Sequence, residues 1–164
     1  MTNSSIAANA VKSYRRVAIA FALLVVLPCL LSLINLTFAQ SWKIHFFPAA
    51  IIMAALIFGA AGGLVAGIAG SAYSALLLGN PYLIVGNALF GLLTAVFYKK
   101  TNKIIPSVLL AFACELPWLI ITDYYLVNLP AIFIARLVVV LFLANVFWAA
   151  LINLSIKPLR KLLC

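Results

Sequence analysis

Only two acidic residues, Glu115 and Asp123, occur in this chain of 164, and only one histidine, His45. That scarcity excludes most site chemistry. A metal centre needs several histidine, cysteine or carboxylate ligands, and His45 has no second histidine to join it. The three cysteines, Cys29, Cys114 and Cys164, are odd in number and unrelated in spacing. They are therefore expected to be free thiols, not a disulfide framework or a zinc site. None is spaced to form a nucleophile dyad with His45, and Glu115 and Asp123 do not make a catalytic carboxylate pair. No glycine loop carries the lysine and preceding strand of a phosphate cradle. The expectation is a protein that is not an enzyme, uses no cofactor or metal, and hydrolyses no ATP.

What is abundant is apolar. Hydrophobic residues make up 68% of the chain and charged residues 8%, and no polar stretch is long enough to fold as a separate soluble domain. This composition predicts a single integral membrane domain over residues 1–164, an all-α bundle that crosses the plasma membrane several times. In a soluble protein a net charge of +9 would suggest nucleic acid. Here the basic residues cluster between apolar runs, which reads as membrane topology, so the lipid bilayer and not nucleic acid is the expected partner.

The chain is organised around residues 58–70. Gly59, Gly63 and Gly67 recur every four residues, and Gly62, Ala66, Gly70 and Ser74 do the same one register away. In water such glycine density would weaken a helix by about 1 kcal/mol per residue relative to alanine. In lipid it lets helix backbones approach closely. The stretch predicts a turn followed by the packing seam of a membrane bundle.

Six spans are expected, over residues 17–38, 46–59, 63–78, 82–98, 104–122 and 131–156. A signal peptide cleaved after Thr37-Phe38-Ala39 is the alternative for the first run, but that run exceeds the roughly 7–15 residues of a signal peptide's hydrophobic region, which favours an uncleaved span. Pro28 should kink it. Residues 46–78 as one helix would measure about 50 Å against a hydrocarbon core of about 30 Å, so the chain must turn near Gly59 to Gly63. Gly79-Asn80-Pro81 and Asn128-Leu129-Pro130 mark two further turns. With six spans, Lys12, Arg15 and Arg16, then Lys99, Lys100 and Lys103, then Lys157, Arg160 and Lys161 all fall on one face. Positive loops lie inside, which predicts cytoplasmic termini.

Glu115, past the middle of the fifth span, and Arg136, two turns into the sixth, are intramembrane charges. Each alone would cost about 2.5–3.5 kcal/mol or more at the bilayer centre, so a mutual ion pair or a wet cavity is expected. Two readings stand: a structural pair that fixes two helices, or a ligand anchor in which Arg136 takes a carboxylate or phosphate and Glu115 an amine or ring nitrogen. Asn87, Tyr73 and Trp118 fall at similar depth and could complete an apolar pocket with directed hydrogen bonds. Asp123 is expected at the outer surface. Tyr124 and Tyr125 read as an interfacial aromatic belt, and Asn145 and Asn153 as hydrogen bonds between helices.

Six short spans, the glycine-rich hairpin between the second and third spans, and a fourth span running from Asn87 through Gly91 to Lys99-Lys100 resemble the substrate-binding S components of energy-coupling factor transporters, which take up vitamins and related micronutrients. The resemblance implies binding of a small molecule from outside, beneath the first loop, where Trp42 and His45 become candidate lid residues. It also implies a transmembrane coupling subunit powered by two ATPase subunits. That subunit would dock on an Ala-x-x-x-Ala face in the first helix, matched here by Ala18 and Ala22. Met1-Thr2 departs from the Met-His start of the nickel and cobalt members, and no signature points to thiamin, riboflavin or biotin. The chain also resembles small rod-shape membrane proteins, although Ser71 stands where their glycine helix carries an acid, and the glycine-rich membrane modules of bacterial sensors.

Overall fold

The computed structural model describes residues 17–38 and 42–163, with backbone alone for residues 35–38, 42–44 and 156–163. Lys12, Arg15 and Arg16 and the Ala39 cleavage position lie outside the described residues, as do the side chains of Lys157, Arg160 and Lys161.

The first helix, α1, spans Val17–Ser32. A wide π turn over Ala22–Val26 interrupts it, with the Leu27 N–H donating to the Ala22 carbonyl. Pro28, one residue further on, has no N–H to give, and widening the preceding turn accommodates the missing bond. The helix ends at Ser32, whose hydroxyl donates to the Cys29 carbonyl at 2.6 Å. This corrects the expected first span of residues 17–38. Its last residues, Asn35–Phe38, are a strand, β1, paired antiparallel with β2, Trp42–His45. The register pairs Leu36 with Ile44 and Phe38 with Trp42, and it pairs Asn35 with His45 and Thr37 with Lys43. Apolar thus opposes apolar and polar opposes polar, the period of two that a hairpin requires.

Helix α2, Phe47–Leu78, is broken at Gly59, where φ is 73° and ψ is −158°. That backbone region is open essentially to glycine alone. The two arms fold back on each other. A Cβ placed on Gly70 would lie 3.3 Å from the Phe47 Cβ, and one on Gly63 would lie 3.0 Å from the Ala55 Cβ. In a straight helix Phe47 and Gly70 would be about 34 Å apart. The turn expected near Gly59 to Gly63 is therefore present, at Gly59 itself, and the second arm begins immediately afterwards.

Helix α3, Tyr82–Thr101, follows the turn at Gly79, whose φ is +63°. Helix α4, Ile104–Leu126, ends in a second π turn over Thr122–Leu126, and α5 spans Ala131–Leu163. Four helices are long and apolar enough to cross a membrane, α2 to α5, while α1 is shorter. The molecule is thus an all-helical membrane-type bundle with one small hairpin.

The second arm of α2 lies at the centre. On one side α1 runs beside it, with the Cys29 thiol donating to the Ala69 carbonyl at 3.2 Å. On the other side α3 crosses it antiparallel, with Gly63 against the Gly91 backbone and Gly67 against the Asn87 carbonyl. The common core gathers Ile51, Ile52, Phe90, Val108, Phe112 and Trp148. Trp148 also ties α5 to the hairpin, since its indole N–H donates to the His45 carbonyl at 3.1 Å and its ring packs against Phe46.

Candidate functional site

Polar side chains converge where α3 meets α4. Tyr82, Leu83, Gly86 and Asn87 follow the i, i+1, i+4, i+5 pattern of one helix face, and Glu115, Trp118, Leu119 and Thr122 follow i, i+3, i+4, i+7 on the facing helix. They enclose a cavity of about 20 Å³ that Asp123 also lines. That volume holds one water-sized group. Gly86 makes the space, since a Cβ there would meet the Glu115 Oε1 at 3.1 Å and the Trp118 ring at 3.3 Å.

A hydrogen-bonded frame surrounds the cavity. The Trp118 indole donates to the Tyr82 carbonyl at 3.2 Å, and Asn87 donates to the Leu83 carbonyl at 2.8 Å. The Thr122 hydroxyl turns back to the Trp118 carbonyl at 2.9 Å, the usual way a threonine satisfies itself inside a helix. At the end of the cleft, the Asn80 amide donates to Asp123 Oδ1 at 2.9 Å, while its own Oδ1 accepts the Tyr82 N–H at 3.1 Å. One asparagine thus fastens the α2–α3 turn, the start of α3 and the last turn of α4.

Glu115 stands apart from this frame. It is 8% exposed, lines the cavity, and makes no hydrogen bond or ion pair with any described residue. The expected partner is elsewhere: Arg136 is exposed on α5 and forms no ion pair with Glu115. Depth in the bilayer fixed the height of the two residues but not the side of the helix each faces. Asp123, expected at the surface, is 2% exposed, because Asn80 covers it.

Of the other candidate residues, Asn87 and Trp118 are in the cleft with Glu115. Tyr73 is 43% exposed and does not line it. His45 belongs to the hairpin and packs its ring against Phe47, away from the cleft lining, and the Trp42 side chain lies outside the described residues. Ala18 and Ala22 are both exposed on α1. Tyr124 and Tyr125 are exposed and stacked edge-to-face on each other, as an aromatic belt would have them. Asn153 is exposed and Asn145 buried, and the expected hydrogen bonds between helices are absent among the described residues.

Sequence reasoning missed Asn80, Tyr82, Gly86, Thr122 and the burial of Asp123. The helical periodicity of Glu115, Trp118, Leu119 and Thr122 was the available signal. The chain matches no family model, no curated protein and no solved structure, so its function is argued from this site.

Proposed function

We propose that the protein is the substrate-binding S component of an energy-coupling factor type transporter, a membrane protein for uptake of a small-molecule micronutrient. The observation that carries the reading is the unpartnered Glu115 in a framed cleft between α3 and α4. An intramembrane acid without a partner is by default a candidate functional residue. Packing alone would not retain it, because an apolar side chain would fill the same space without the desolvation cost.

The fold supports the same reading at a second place. Counting the two arms of α2 separately makes six helical segments with α1, α3, α4 and α5, and we read these as the six expected passes. Both termini then lie on one side, the cytoplasmic one by the charge of Lys99, Lys100 and Lys103 beside the α3–α4 turn. Ala18 and Ala22 are exposed on α1, and this is the face on which a transmembrane coupling subunit would dock and deliver the work of two ATPase subunits. The cavity admits only one small group, so the α3–α4 seam widens around the rest of the substrate, and Glu115 holds its polar end.

Two measurements test the reading. Cysteine probes in whole cells should be labelled from outside at Asn128 and protected at Asn102, both of which are exposed. External labelling at Asn102 overturns the topology. With a coupling subunit and its ATPases co-expressed, Ala18→Arg should abolish complex formation and uptake while ligand-induced thermal stabilisation of the isolated protein survives. Wild-type protein that neither joins such a complex nor is stabilised by any vitamin-sized ligand would remove the transport assignment.

A further inference from the structure

The donors and acceptors of the α3–α4 cleft do not balance. Most of its side-chain donors are already spent on the protein. The Trp118 N–H goes to Tyr82, the Thr122 O–H to Trp118, one Asn87 N–H to Leu83 and an Asn80 N–H to Asp123. Its acceptors are not. Both Glu115 carboxyl oxygens and the second oxygen of Asp123 are without a partner among the described residues, and Asn87 lines the same cleft. No lysine or arginine lines the cavity.

Two carboxyl groups with no basic side chain among the lining residues disfavour an anion and favour a cation. The cavity, at about 20 Å³, fits a single ion or a single ammonium group and no ring. We propose that the Glu115 cleft binds a small monovalent cation, either an alkali ion or the ammonium head of an organic cation. This rests on the cleft being a ligand site, as in the uptake reading, but needs no coupling partner. Binding sets a positive charge against Glu115, which removes the cost of holding that carboxylate in an apolar bundle. Gly86 is then the residue that shapes the site, since any side chain there would occupy the cation's place beside Oε1.

The test uses the full chain, purified and reconstituted in nanodiscs, without any coupling subunit. Its melting temperature is followed in NaCl, KCl and methylammonium chloride against choline chloride at constant ionic strength. A saturable rise of roughly 5–10 °C at one hundred times Kd is expected with at least one of the three. A rise with sodium or potassium identifies an alkali site, and a rise with methylammonium alone identifies an ammonium site. In Glu115→Gln, which keeps shape and removes charge, the rise should disappear, and Gly86→Ala should weaken it at least tenfold in Kd. Equal melting temperatures in all four salts, or an undiminished rise in Glu115→Gln, would overturn the assignment. Failure of the Ala18→Arg complex test leaves this result untouched, so the two readings fail separately.

Discussion

Helix α3 packs against two neighbours and uses glycine in opposite ways toward them. Toward α2, Gly91 meets Gly63 backbone to backbone, with no side chain between the helices. Toward α4, five residues earlier, Gly86 leaves a gap that the Glu115 carboxylate and the Trp118 ring share. In the first seam two backbones touch directly, and the second is framed by hydrogen bonds around one unpaired acid. In lipid, close packing is what holds helices together. The comparison teaches that the bundle's stability lies in the α2–α3 seam, which leaves the α3–α4 seam free to be imperfect.

The sharpest way to break that comparison is to put bulk into the first seam. Gly63→Leu would drive a side chain into the Gly91 backbone, and should cost about 3 kcal/mol or more in stability, measured by thermal or steric-trap unfolding. A variant that unfolds like the wild type would show that the seam is not the structural one. Gly59→Ala comes next, because alanine is strained at a φ of 73° and ψ of −158°. A loss of about 1–3 kcal/mol is expected.

In the second seam the stabilising element is the frame, not Glu115. Asn80→Ala strips a hydrogen bond from buried Asp123 and should cost about 1–3 kcal/mol, with Asp123→Asn partly restoring it in the double variant. The smallest effect is expected for the two charges that depth in the bilayer alone would pair. A double-mutant cycle with Glu115→Gln and Arg136→Met should give a coupling energy within about 0.5 kcal/mol of zero. Coupling of 2 kcal/mol or more, a size on the order of a contacting pair, would restore the ion-pair reading.

How much of this was legible in the sequence differs between the same two regions. The structural seam was readable, because small residues every four positions define a helix face without reference to anything distant. The turn at Gly59 followed from length alone. The polar cleft was half readable. Glu115, Asn87 and Trp118 could be placed by depth, but Arg136 at a similar depth points away, and azimuth around a helix depends on neighbours that no single sequence reveals. Asp123 looked like a surface residue because its cover, Asn80, comes from a turn 43 residues earlier. The β1–β2 hairpin was hidden for a different reason. Its first strand continues the apolar run of α1, and an average over a membrane-length window does not register an alternation only four residues long.

The central claim is that Glu115 is kept for a ligand at the expense of the fold. Glu115→Met tests it most directly, since methionine fills the same space without a carboxyl group to desolvate. In choline chloride, where no small cation is present, the variant should be more stable than the wild type by about 1–3 kcal/mol, and it should not respond to any added cation. A variant less stable than the wild type under those conditions, by a similar amount, would make Glu115 a structural residue and contradict the account.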